Sequence, residues 1–203
     1  MNFNKASLFA LFFFIVFVSC NETVKEKEEG TEQTEEISEK IKINGNWLQI
    51  LASKEPLSVK QLEEVAPASL KDLPKVKSNE VPSQGATSIL VTYSNDKVPD
   101  LNSTKIELGI IDGAGERGFQ HINGVNNMMK FPSNKEEGDN ILKIFHRNEQ
   151  KILVRQRRIK EKLISEIEFI KDGRYHIKIF ARNFSADELY EVLDSVEKIK
   201  FPK

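Results

Sequence analysis

Between Ser88 and Ala181 the chain repeatedly alternates apolar and polar side chains with a period of two, the pattern of strands half buried on a sheet. Ile89, Val91 and Tyr93 alternate with Leu90, Thr92 and Ser94, and Ile106, Leu108 and Ile110 alternate with Lys105, Glu107, Gly109 and Ile111. Residues 95–102, with Pro99, join these runs as a hairpin. Further extended runs follow at 141–146, 151–158, 162–170 and 174–181; the short polar joints at 147–150 and 171–173 favour antiparallel neighbours. Helical spacing takes over at the end, where Leu189, Val192, Leu193, Val196 and Ile199 form one stripe. Ser185 with Glu188 makes a capping box and Phe184 with Leu189 a hydrophobic staple. Leu57–Leu62 reads as a similar helix start, with Ser58 and Gln61 as the box, and Pro67 limits that helix.

Less regular stretches separate these elements. Residues 41–51 carry a broken apolar pattern around Gly45, compatible with a strand or an amphipathic segment. Residues 67–86, holding Pro67, Pro74, Pro82 and Gly85, read as a loop across one end of the domain. Gly113 to Lys130 reads as a loop followed by a poor helix, weakened by Gly124 and three Asn. The expected architecture is α+β: an antiparallel sheet of about six strands, the C-terminal amphipathic helix packed on one face, and a shorter helix near the start of the domain.

The first twenty residues follow a different grammar. Lys5 is followed by the uncharged run Leu8 to Val18 and then Ser19-Cys20, the order of a secretory signal. About eleven apolar residues are too few to cross a hydrocarbon core of about 30 Å, which takes roughly 20. The close, Phe17-Val18-Ser19-Cys20, resembles the lipobox of bacterial lipoproteins, with Phe17 in place of the usual Leu. That resemblance implies removal of residues 1–19 and a diacylglycerol on the Cys20 sulfur, with acylation of the new amino terminus. Several acyl chains hold a protein on a membrane durably, at about 0.8 kcal/mol per buried methylene. An ordinary secretory signal ending in cysteine is the alternative. Asn21, where an Asp would favour inner-membrane retention in such lipoproteins, leans toward the outer membrane. Lys27-Glu28-Glu29 is similar to a surface-export signal of Bacteroidota lipoproteins.

Charge then divides the chain. Residues 20–40 contain the lipid-bearing Cys20 and an acidic stretch of eight Glu and three Lys with almost no large apolar side chains, the composition of a solvated tether. Residues 41–203 carry a net +3 and have the length of a single domain. Cys20 is the only cysteine, so no intramolecular disulfide and no Cys-based zinc site can form.

The Leu57–Leu62 helix start, the Pro67–Leu70 segment, a strand closing on Asp112-Gly113 and the strand–turn–helix from Arg174 to Ile199 together resemble a set of small uncharacterised bacterial envelope proteins. The resemblance spans about residues 55–200 and implies no activity. A PsbP-like sandwich shares this order of elements as a fold analogy.

Candidate chemistry is sparse. Gly113-Ala114-Gly115-Glu116-Arg117-Gly118 is a literal GxGxxG after a strand, but Asp112 and Glu116 put negative charge where phosphate would sit. An Asp-Gly turn is the better reading, and no cofactor is expected. His121, His146 and His176 have no metal-ligand spacing, no metal is expected, and alternation with Lys178 places His176 on the surface. No GxSxG or SxxK string marks a nucleophile, so no catalytic residue is assigned. Arg155, Arg157, Arg158 and Lys160 form the densest cationic run, with Arg155 and Arg157 on one side of a strand and Arg158 and Lys160 on the other. It is a candidate surface for an anionic envelope partner; the competing reading is a solvated edge strand, or charges neutralised by Glu161, Glu166 and Glu168. Nucleic acid is excluded by the modest charge and the exported location. The expected function is a lipid-anchored binding or scaffolding module, with a small envelope hydrolase or transferase, and then an apolar-ligand carrier, as alternatives.

Overall fold

A computed structural model describes residues 47–131 and 134–202. Cys20, Asn21, the Lys27–Glu29 signal and the acidic stretch lie outside the described residues. Among the described residues, four helical segments, α1 (47–53), α2 (Val59–Val65), α3 (Gly115–Met128) and α4 (Ala186–Glu197), accompany nine strands. The strands are β1 (Ser69–Leu70), β2 (Leu73–Glu80), β3 (Ser88–Ser94), β4 (Lys105–Asp112), β5 (Lys135–Glu137), β6 (Asn140–Arg147), β7 (Gln150–Ile159), β8 (Lys162–Lys171) and β9 (Tyr175–Arg182).

All neighbours are antiparallel, in the order β1-β2-β3-β4-β9-β8-β7-β6-β5. Two meanders, β1–β4 from one edge and β5–β9 from the other, meet at the β4–β9 pair; the connection carrying α3 takes the chain from β4, in the middle of the sheet, to the outer edge at β5. The expectation of about six strands is therefore wrong. The additional strands are β1, β2 and β5, and two of them arise in stretches read as irregular. β2 falls within the Pro-rich 67–86 segment because Pro74 sits near its start, and most of its side chains are only partly covered, so it lacks a strong apolar alternation. β7 is also not an edge strand: it lies between β8 and β6.

One face of the sheet is apolar. Ile89, Val91, Leu108, Ile110, Ile177, Ile179, Ile167, Phe169, Ile152 and Val154 are paired across five strands in register and packed against Leu62 of α2 and Leu189, Val192, Leu193 and Val196 of α4. Both capping boxes form, Ser58 with Gln61 and Ser185 with Glu188. Buried polar groups fix α4 to the strands below it: the Gln156 carbonyl oxygen accepts the Ala186 N–H at 2.7 Å, and the Ser165 hydroxyl donates to the Phe184 carbonyl at 2.7 Å. Satisfying these donors and acceptors internally avoids a desolvation cost of about 1–3 kcal/mol each.

The second face is mixed. α3 covers part of it through Ile122, Val125 and Met129. Packing overrides the weak helix propensity of its Gly and Asn residues, so α3 runs fourteen residues rather than being a poor helix.

Candidate functional site

The glycine string at the β4–α3 junction serves packing. Asp112 is fully buried, and its carboxylate receives Nε and Nη2 of Arg174, each at 2.7 Å, together with the N–H groups of Leu57 at 2.7 Å and Ala114 at 3.0 Å. That carboxylate ties together β4, the segment before α2, the start of α3 and the start of β9. The hydrogen bond to Asp112, against the cost of burial, raises the Arg174 pKa further. A Cβ on Gly118 would lie 2.5 Å from the Gly113 carbonyl carbon, and one on Gly113 would lie 2.4 Å from the Arg174 carbonyl oxygen. These glycines let helix and strand approach.

On the second face, side chains from four elements form a charged chain. Arg155 of β7 donates to Glu166 at 3.1 Å and to Glu168, both on β8. His176 of β9 meets Glu168 Oε2 through Nε2 at 3.0 Å, and its Nδ1 lies 2.9 Å from Nε2 of His121 on α3. Because an ionised carboxylate only accepts, His176 donates through Nε2, and in its neutral form takes a hydrogen bond from His121 at Nδ1. Lys178 lies 3.3 Å from Glu166 and 3.7 Å from Glu168. Burial pushes the Glu168 carboxyl up, but the His176 hydrogen bond and the charges of Lys178 and Arg155 outweigh it and hold it at about 2. Burial, with the neighbouring His176 and Lys178, lowers the His121 pKa.

His176 is therefore 3 % exposed rather than a surface residue. Alternation assigns it to the face opposite Ile177, as observed, but does not reveal that α3 covers that face. His146 is exposed on β6, on a different part of the sheet. No group of three His, Cys, Asp or Glu able to hold a metal occurs among the described residues.

The cationic run is divided by the structure. Arg155 is committed to Glu166 and Glu168, and Arg157 is exposed on the same face. Arg158 projects to the α4 face and pairs with Asp139 at 2.5 Å, while Lys160 sits in the β7–β8 turn with φ 56°. Arg155 and Arg157 flank a shallow hollow of about 440 Å³ with Leu142, Ile164 and Phe180.

A further cleft, larger than the hollow beside Arg155, was not anticipated from sequence. It opens at the end of the sheet between α1 and the segment after α4, with a volume of about 760 Å³. Trp47, Ile50 and Leu51 form one wall, and Tyr175, Ile199 and Phe201 the other. The Trp47 ring rests on Gly173 in the β8–β9 turn, where a Cβ would come within 2.9 Å of it. Tyr175 and Phe201 stack at 4.4 Å, and the Tyr175 hydroxyl donates to the Pro202 carbonyl at 2.6 Å. Ile50 is half exposed at the mouth.

Comparison with protein-family models, with curated proteins and with solved structures finds no match to the chain.

Proposed function

We propose that the chain is a membrane-tethered binding module of the bacterial envelope, held by lipid on Cys20, with the cleft between α1 and the C-terminal segment as its recognition site. The cleft carries the binding reading: its volume is that of pockets for small ligands, about 300–1,000 Å³, and its apolar walls converge on a cationic rim. The order Lys5, apolar run, Ser19-Cys20 supports the anchor, and Asn21 favours the outer membrane, facing the periplasm or the cell surface. An acidic envelope component meets this rim rather than the divided 155–160 run. No activity is assigned to the module.

A second reading, a small envelope hydrolase or transferase, draws on the Glu168–His176–His121 chain, which joins a carboxylate to two imidazoles as acid–base sites do. It would need a nucleophile beside His121.

The binding module is tested in two measurements. Cys20→Ser should move the protein out of the membrane fraction; equal retention would refute the tether. Native mass spectrometry of the wild-type protein extracted from membranes should show a noncovalent adduct that Ile50→Arg removes; an adduct indifferent to Ile50→Arg would place binding elsewhere.

A further inference from the structure

Resting on the reading of the cleft as a binding site, we infer that its ligand is a single-chain amphiphile with one acidic head. The lining contains five cations and two carboxylates. Two of the cations are already engaged: Arg174 by Asp112, and Lys171 by the Glu197 carbonyl at 2.6 Å. Glu197 in turn faces Arg147 at 3.6 Å. The exposed Lys54, Lys198 and Lys200 make no ion pair among the described residues. Against them stands Asp172, so the rim keeps an excess of positive charge.

The neutral polar groups of the lining decide the body of the ligand. Among the described residues no Ser, Thr, Asn or Gln lines the cleft, and the one hydroxyl they supply, of Tyr175, is spent on Pro202. A sugar or a peptide backbone, dense in neutral donors and acceptors, would find partners only in the charged rim and the Trp47 indole N–H, and would lose its hydration without replacement against the apolar walls. A hydrocarbon chain loses nothing and gains contact with Trp47, Ile50 and Phe201. Lysines suit the head because each is a mobile point charge on an apolar stem, able to close over a carboxylate or a phosphate from the rim.

The chain's connectivity fits a ligand drawn from a bilayer. α1 forms a wall of the cleft and is the element to which residues 20–46, beginning at the lipid-bearing Cys20 of the proposal, are covalently joined.

Trp47 is the chain's only tryptophan and lines the cleft, so its fluorescence reports occupancy. The full chain in phosphatidylcholine nanodiscs is titrated with ω-bromododecanoate, ω-bromododecyl phosphate and ω-bromododecanol, whose bromine quenches on contact. Saturable quenching is expected from one or both acidic probes, with the two arms separating carboxylate from phosphate. It should weaken by about tenfold for the alcohol and for the triple variant Lys54→Gln, Lys198→Gln, Lys200→Gln, the size of one lost charge-assisted contact. Equal quenching by the alcohol, unchanged in the triple variant, would overturn the acidic head while leaving the cleft as an apolar site. Displacement of the acidic probe by a peptide of residues 21–40 would make the chain's own acidic stretch the occupant and also overturn the inference. Absence of saturable quenching by all three probes would remove the cleft as a ligand site altogether.

Discussion

Single atoms set the packing where α3 leaves the sheet. Gly118 sits so close to the Gly113 and Asp112 backbone that an added Cβ would meet main chain, whereas one on Gly124, in the same helix, would meet nothing within 4 Å. Gly118→Ala should therefore destabilise the protein by about 1–3 kcal/mol, the cost of overpacking. Gly124→Ala should stabilise it by about 0.5–1 kcal/mol through helix propensity alone. Denaturant unfolding of both variants checks this, and equal effects of the two substitutions would contradict the assignment of Gly118 to close packing. At this scale the capping residues were legible, because a box is a local pattern of Ser and Gln or Glu three positions apart. The Asp112–Arg174 pair was not, because its partners are 62 residues apart and only the β4–β9 register brings them together.

Helix α3 is tied to the sheet through the His121–His176 bond, and its protonation follows from the surroundings. His121 faces His176 and Lys178 of β9 and Glu168 of β8, which is itself paired with Arg155 of β7. With the His121 pKa lowered below its ordinary 6.5, the folded state takes up a proton less readily than the unfolded chain. Stability from this group is thus complete above 6.5 and declines as pH falls through the interval below it. Glu168, lowered from 4.5 to about 2, contributes stability that is present above 4.5 and lost between 4.5 and about 2. Protection of the α3 amides, with exchange rates corrected for their intrinsic pH dependence, should fall first, as pH drops below 6.5, with a further loss of global stability below 4.5. His121→Gln, which keeps a donor for His176, should abolish the first step; exchange that ignores this substitution would contradict the tie. The interior strands were legible as elements because burial on one face imposes a period of two. β2 and β5 were not, since Leu73 is the only buried residue of β2 and every residue of β5 is exposed, so neither imposes such a period. The helical course of α3 was obscured by its Gly and Asn residues, and its identity depends on Ile122, Val125 and Met129 finding the sheet.

At the scale of the whole molecule, the proposed function joins a lipid at Cys20, an acidic stretch and a domain with a cation-rimmed cleft. The tether is read from composition alone, on residues outside those described. The cleft was not legible in the sequence, because its walls come from residues 47–54, the β8–β9 turn and the C-terminal segment, which no local pattern associates. The most direct measurement is photo-crosslinking in living cells, with a photoreactive residue at position 50, in the cleft mouth, and a control at position 98, which is 88 % exposed in the β3–β4 connection. The expected result is a small-molecule adduct at position 50 alone, lost when Cys20→Ser releases the protein from the membrane. The same adducts at both positions, or none at position 50, would contradict a membrane-tethered module that binds through this cleft.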